Sequence, residues 1–114
     1  MGYTEPKENG YCVLAGYSDH QARKHEHCQC RDIKIITKCQ ELCHNDDMCN
    51  GYSFATVSNK CYLYTTSPCD SNCYKKKSGS IGDIVQKSQK NSQESGCYIK
   101  ERGNLSYTLK CTLN

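Results

Sequence analysis

The sequence has no tryptophan, a single phenylalanine and two prolines among its 114 residues. Leucine, isoleucine, valine and phenylalanine together number 16, about 14% of the chain and below the roughly 20% at which composition starts to look disordered. Aliphatic burial alone would therefore build only a thin core. No run approaches the ~18 apolar residues that a membrane-spanning helix needs, and the mean hydropathy is −0.82. No C-x-x-C step occurs, so the paired knuckles of a zinc ribbon or finger are missing. An apolar leader segment is also missing from Met1–Pro6, so any inference of secretion has to rest on the cysteines.

What the chain does have is 11 cysteines and nine tyrosines. Cysteine at this density replaces a missing core with cross-links and belongs outside the reducing cytosol. Tyrosine buries a ring while keeping its hydroxyl wet. These features point to one domain over 1–114, secreted or extracellular. The charge is uneven: residues 1–57 carry 6 basic and 8 acidic side chains, whereas 58–114 carry 9 and 4. A formal net charge of +3 and an extracellular location argue against nucleic acid as a partner.

The middle of the chain carries the strongest local signals, and the core is expected at about 31–69. Asp32–Ile36 is β-branched and reads as a strand. Thr37-Lys38-Cys39-Gln40 fits a capping box that opens a short helix over Lys38–Asn45, with Cys39 and Cys43 one turn apart on one face. Asp46-Asp47 then makes a turn. Gly51–Val57 and Cys61–Thr65 read as two strands joined by a turn at Ser58–Lys60. A short helix packed across an antiparallel sheet is an α+β unit. Residues 75–95, with five Lys, five Ser and three Gln, read as a long mobile polar loop with a helical turn near Ile81–Lys87.

The spacing Cys39-x₃-Cys43-x₅-Cys49-x-Gly51-Tyr52-Ser53-Phe54-x₆-Cys61-Tyr62-Leu63-Tyr64 resembles the heart of a PAN/apple domain, the family that includes plasminogen-type N-terminal modules, apple repeats and microneme adhesins. The likeness is tight over 33–65 and loose in the flanks. It implies that Cys39 pairs with Cys61 and Cys43 with Cys49. It also implies a staple from Cys12 to Cys97 or Cys111 near the chain ends. It further implies a non-catalytic recognition or adhesion module binding an extracellular protein or a carbohydrate. Cys28, Cys30, Cys69 and Cys73 depart from the family pattern. They are expected to tie the segment before the helix to the loop after the hairpin. The odd count leaves one cysteine over, with Cys73 beside the Lys-rich stretch as the expected one and a disulfide-linked dimer as the consequence.

Other groupings in the chain bear on chemistry. His25-Glu26-His27-Cys28-Gln29-Cys30, with His20 nearby, gathers metal-type ligands. A solvated loop whose cysteines sit in disulfides accounts for the same residues, so no metal or cofactor is assigned. A Cys–His nucleophile needs a free thiol, which a disulfide framework consumes. No catalytic residue is assigned and no enzyme is expected. Tyr62 and Tyr64 alternate with inward-pointing Cys61 and Leu63, and Lys75, Lys76 and Lys77 follow. Together they are the candidate ligand surface, suited to an acidic or sulfated partner. The simpler reading of the two tyrosines is that they cover the second side of the sheet. Asn104 carries the N-glycosylation sequon. Rival functions are a cross-linked matrix component and a small inhibitor or toxin-like effector.

Overall fold

Alternation along Gly51–Ala55 (β4) and Lys60–Tyr64 (β5) sets two strands back to back, with Phe54 opposite Cys61 and Ser53 opposite Tyr62. The turn between them places Asn59 at φ 53°, a left-handed conformation that asparagine tolerates. In this computed structural model, which describes residues 2–16, 25–77 and 81–101, that hairpin forms the middle of a six-stranded sheet. The remaining strands are Tyr3–Thr4 (β1), His27–Cys30 (β3), Cys73–Lys76 (β6) and Tyr98–Lys100 (β8), and the order is β1-β8-β4-β5-β3-β6. Gly10–Leu14 (β2) and Ile84–Ser88 (β7) form a separate antiparallel pair. One helix, Ile36–His44 (α1), packs on the sheet. The fold is α+β and disulfide-rich.

The registers assign every side chain to a face, because successive residues of a strand point to opposite sides. Tyr52, Phe54, Cys61, Leu63, Cys28 and Cys30 share the face covered by α1. Six of the ten buried residues in that layer are cysteines, so this core is held largely by covalent bonds. Cys39–Cys61 ties α1 to β5, and Cys43–Cys49 ties its last turn to the approach to β4. Cys28–Cys69 and Cys30–Cys73 tie β3 to the segment after β5 and to β6. On the other face, Cys12, Tyr64, Ile84 and Cys97 form a smaller core under the β2–β7 pair. Cys12–Cys97 locks that core across 85 residues, a loop whose closure is worth roughly 4–5 kcal/mol in the chain-entropy argument. Gly51 lets the layers meet, since a Cβ there would lie 2.5 Å from the Tyr98 carbonyl oxygen and 2.8 Å from Ile84 Cδ1.

Polar residues close the open end of the helix. Asp46 Oδ2 accepts from the Thr65 hydroxyl at 2.7 Å. Asp46 Oδ1 accepts from the Ser67 hydroxyl at 2.7 Å and from the Met48 amide at 3.0 Å. Burial alone would raise the Asp46 pKa, but these donors and the nearby Lys100 charge hold it below the usual carboxylate value. Lys100 Nζ donates to the carbonyls of Cys43 and Asp46 at 2.7 and 3.0 Å, which suits a cation at a helix C-terminus. Tyr52 stacks on Tyr98 at 4.8 Å, meets Tyr3 edge-on at 5.3 Å, and donates its hydroxyl to Gln40 at 2.9 Å. Its burial, with those rings beside it, pushes the phenol pKa far up.

Several expectations are corrected. Asp32–Ile36 is no strand; the strand lies earlier, at His27–Cys30. Asp32 sits at φ 58°, which turns the chain out of the sheet, so Ile33 enters the core and Ile35 is left exposed. The capping box does not form: Ile35 is the N-cap and makes no side-chain cap bond. Gln40 is drawn instead to the Tyr52 hydroxyl. The stretch taken as a polar loop with a helical turn carries the end of β6 and all of β7. β7 pairs with β2 over five residues, Ile84 opposite Leu14, and burying Ile84 on that partner favours extension over a helical turn. The leftover-cysteine expectation for Cys73 also fails, because Cys73 faces Cys30 across the β3–β6 ladder and bonds to it. Ten of the eleven cysteines, Cys73 among them, pair among themselves, and the eleventh, Cys111, lies outside the described residues.

Candidate ligand-binding face

Period-two alternation divides β3 by function. Cys28 and Cys30 point toward the helix and into disulfides, while His27 and Gln29 point to the far face. Of the metal-type residues noted in the sequence, those of β3 are thereby split between two sides of the sheet, and His20 lies outside the described residues. Across the far face the register sets Tyr62, Gln29 and Tyr74 in one row and brings Lys76 beside His27. The β2–β7 pair covers this face around Tyr64 and Ile84. At the β3–β6 end the face is open, and Tyr74 is 43% exposed there.

A line of hydrogen bonds fixes this end. His27 Nδ1 donates to the His25 carbonyl at 2.9 Å, because a carbonyl oxygen can only accept. His27 Nε2 is then left to accept from the Gln29 side-chain amide at 3.3 Å. The oxygen of that amide accepts from the Tyr74 hydroxyl. Tyr74 is thus oriented through Gln29 by a buried histidine. His25 is anchored in the same manner, by Nδ1 to the Glu26 carbonyl at 2.5 Å and by Nε2 to the Asn50 amide at 3.3 Å. Two cations flank the Tyr74 ring: Arg31 Cζ is 6.0 Å from its centroid and Lys76 Nζ is 5.9 Å away, the range of cation–π contact. Beside it, Arg31, Asp32, Ser71, Asn72 and Tyr74 border a recess of about 350 Å³.

The sequence-derived surface residues divide between inside and outside. Lys76 and the half-buried Tyr62 belong to the open face, and Lys77 is exposed just past β6. Tyr64 is fully buried, with the rings of His25 and His27 at 6.1 and 5.3 Å. It covers the second side of the sheet. Lys75 points the other way from Lys76. Its ammonium pairs with Glu26 at 3.2 Å and donates to the carbonyls of Thr65, at 3.1 Å, and Ser67. Lys75 therefore holds the segment after β5 and has no place on the open face. Asn104 lies outside the described residues. Sequence reasoning missed Gln29 and Arg31. The available signal was the C-x-C step at Cys28 and Cys30, which is compatible with a strand whose intervening and following residues face away from the disulfides.

Among the described residues, no three His, Cys, Asp or Glu side chains come together as a metal-ligand set. No helix among them is long and apolar enough to cross a membrane. Comparison with family models, with curated proteins and with solved structures finds no match.

Proposed function

We propose that the chain is a secreted or cell-surface recognition module of PAN/apple type that binds an acidic glycan without transforming it. Five disulfides suit a protein that works outside the reducing cytosol. The helix stapled to the hairpin through Cys39–Cys61, with Cys43–Cys49 beside it, is the arrangement that the resemblance implies. The observation that carries the ligand reading is Tyr74, exposed and flanked by Arg31 and Lys76. An exposed ring gives a sugar a flat apolar contact. The two cations near the ring attract carboxylate or sulfate. The recess by Asp32, Ser71 and Asn72 offers polar groups to hydroxyls. Because the ring is already oriented by Gln29 and His27, binding costs little further ordering.

A glycan array probed with the whole chain tests this reading. Carboxylated or sulfated glycans should bind and their neutral counterparts should not, and Tyr74→Ala should abolish the signal. Binding only to acidic peptides would replace the carbohydrate by a protein partner. Equal signal from the Tyr74→Ala variant would remove this face from consideration.

A further inference from the structure

Where α1 ends, the surface chemistry is reversed. A groove of about 380 Å³ runs between the C-terminal end of α1 and the segment 65–70. Its apolar lining includes Leu42, Leu63, Pro68 and the Cys28–Cys69 disulfide, and its only charged lining residues are Asp46 and Asp70. Asp46 is held ionised by its three donors. Asp70 is exposed, and its carboxylate makes no hydrogen bond or ion pair among the described residues.

The chain's own lysines show what the acceptors in this region attract. Lys75 places its ammonium on the carbonyls of Thr65 and Ser67, and Lys100 places its own on the carbonyls of Cys43 and Asp46. Neither lysine lines the groove itself. Those carbonyls are taken, and the space that remains combines an apolar floor with the Asp70 carboxylate, which has no partner among the described residues.

We propose that this groove is a second binding site, which takes the side chain of a lysine presented by a partner protein. The methylenes would lie on Leu42, Leu63 and Pro68, and the ammonium would reach Asp70 with Asp46 behind it. The groove is at the small end of the range of ligand pockets, which suits one side chain and not a folded peptide. The groove adjoins the recess beside Tyr74 at Cys73, which lines both, and it is opposite in charge to the Arg31–Tyr74–Lys76 face, so one module can hold an acidic and a basic group side by side.

An NMR titration tests the proposal with two probes, Nα-acetyl-lysine methylamide and the norleucine analogue, which lacks only the ammonium. The lysine probe should shift the amides of Leu42, Asp46, Ser67 and Asp70 in a saturable manner with a millimolar Kd, and the norleucine probe should not. Asp70→Asn should weaken binding about tenfold, the effect of losing one charge-assisted hydrogen bond. That variant should melt with the parent, because Asp70 has no partner to lose. Lys76→Ser should leave the titration unchanged. Absence of saturable shifts, equal response to both probes, or indifference to Asp70→Asn would each overturn the proposal.

Discussion

On the face that α1 covers, neighbouring positions of β3, β4 and β5 hold cysteine, tyrosine, phenylalanine and leucine, and four disulfides run through or beside the layer. On the opposite face the same strands hold His27, Gln29, Ser53, Tyr62 and Tyr64, and the β2–β7 pair with Cys12–Cys97 lies over part of them, with His25 on Tyr64 and Glu94 on Ser53. The first face is apolar and covered by α1, opening at the groove beside Leu42 and Leu63. The other is mixed, with a small buried core around Tyr64 at one end and an open, polar end at β3 and β6. A chain with few aliphatics can do this because disulfides hold the first face without large side chains, leaving the second free to carry polar groups. The open end of that second face is also the place where aromatic and cationic side chains meet.

The largest effects should come from removing disulfides. Replacing Cys39 and Cys61 together by Ala removes a 22-residue link and should cost roughly 3–4 kcal/mol, read by chemical denaturation under non-reducing conditions. Removing Cys12–Cys97 in the same manner should leave α1 and the hairpin ordered while the β2 and β7 amides lose exchange protection. Loss of protection throughout would mean that the two faces are not separately held.

Asp46→Ala comes next. It strands the buried Thr65 hydroxyl and the Ser67 hydroxyl, and should cost about 2–3 kcal/mol near pH 7. Since the folded-state pKa of Asp46 is depressed, its contribution is complete above the ordinary carboxylate value of 3.8. The contribution is lost as pH falls from there through the lower folded-state value. The stability gap between parent and variant should therefore be constant from neutrality down to about pH 5 and should close at lower pH. A gap that persisted in strong acid would show that the ionised carboxylate is not what holds the loop.

The two neighbouring lysines of β6 give a smaller and sharper contrast. Lys75→Ser should cost about 1–2 kcal/mol through the lost Glu26 pair and carbonyl contacts. Lys76→Ser should change stability by no more than about 0.5 kcal/mol. Equal melting of the two variants would contradict the opposite orientations assigned to them.

The helix and hairpin were legible in the sequence to within a few residues because their signals are local. Cys39 and Cys43 lie one helical turn apart, the aromatics alternate along Gly51–Ala55, and the turn residues fall between the strands. β3 was not legible. His27-Cys28-Gln29-Cys30 has no β-branched residue, and it becomes a strand only by pairing on both sides, with β5 and β6. β7 was hidden for a related reason, since its partner β2 lies some 70 residues earlier in the chain. Such pairings depend on tertiary context more than on intrinsic preference. The candidate site was legible in kind, as tyrosine with lysine, and in membership only in part: Tyr62 and Lys76 lie on the open face, while Tyr64 and Lys75 do not. The inward turn of Tyr64 and Lys75 depends on which strands lie over and beside them, while Arg31 and Gln29 join the site only because β3 exists.

The most direct test of the open face is the salt concentration at which the chain elutes from immobilised heparin. Two charge-matched double variants should be compared with the parent: Arg31→Ser with Lys76→Ser, and Lys7→Ser with Lys90→Ser, the latter at exposed positions outside β3 and β6. The first pair should elute at clearly lower salt, and the second should stay close to the parent. Equal shifts for the two pairs would mean that the column senses only net charge, and the Arg31–Tyr74–Lys76 face would then not be the ligand surface.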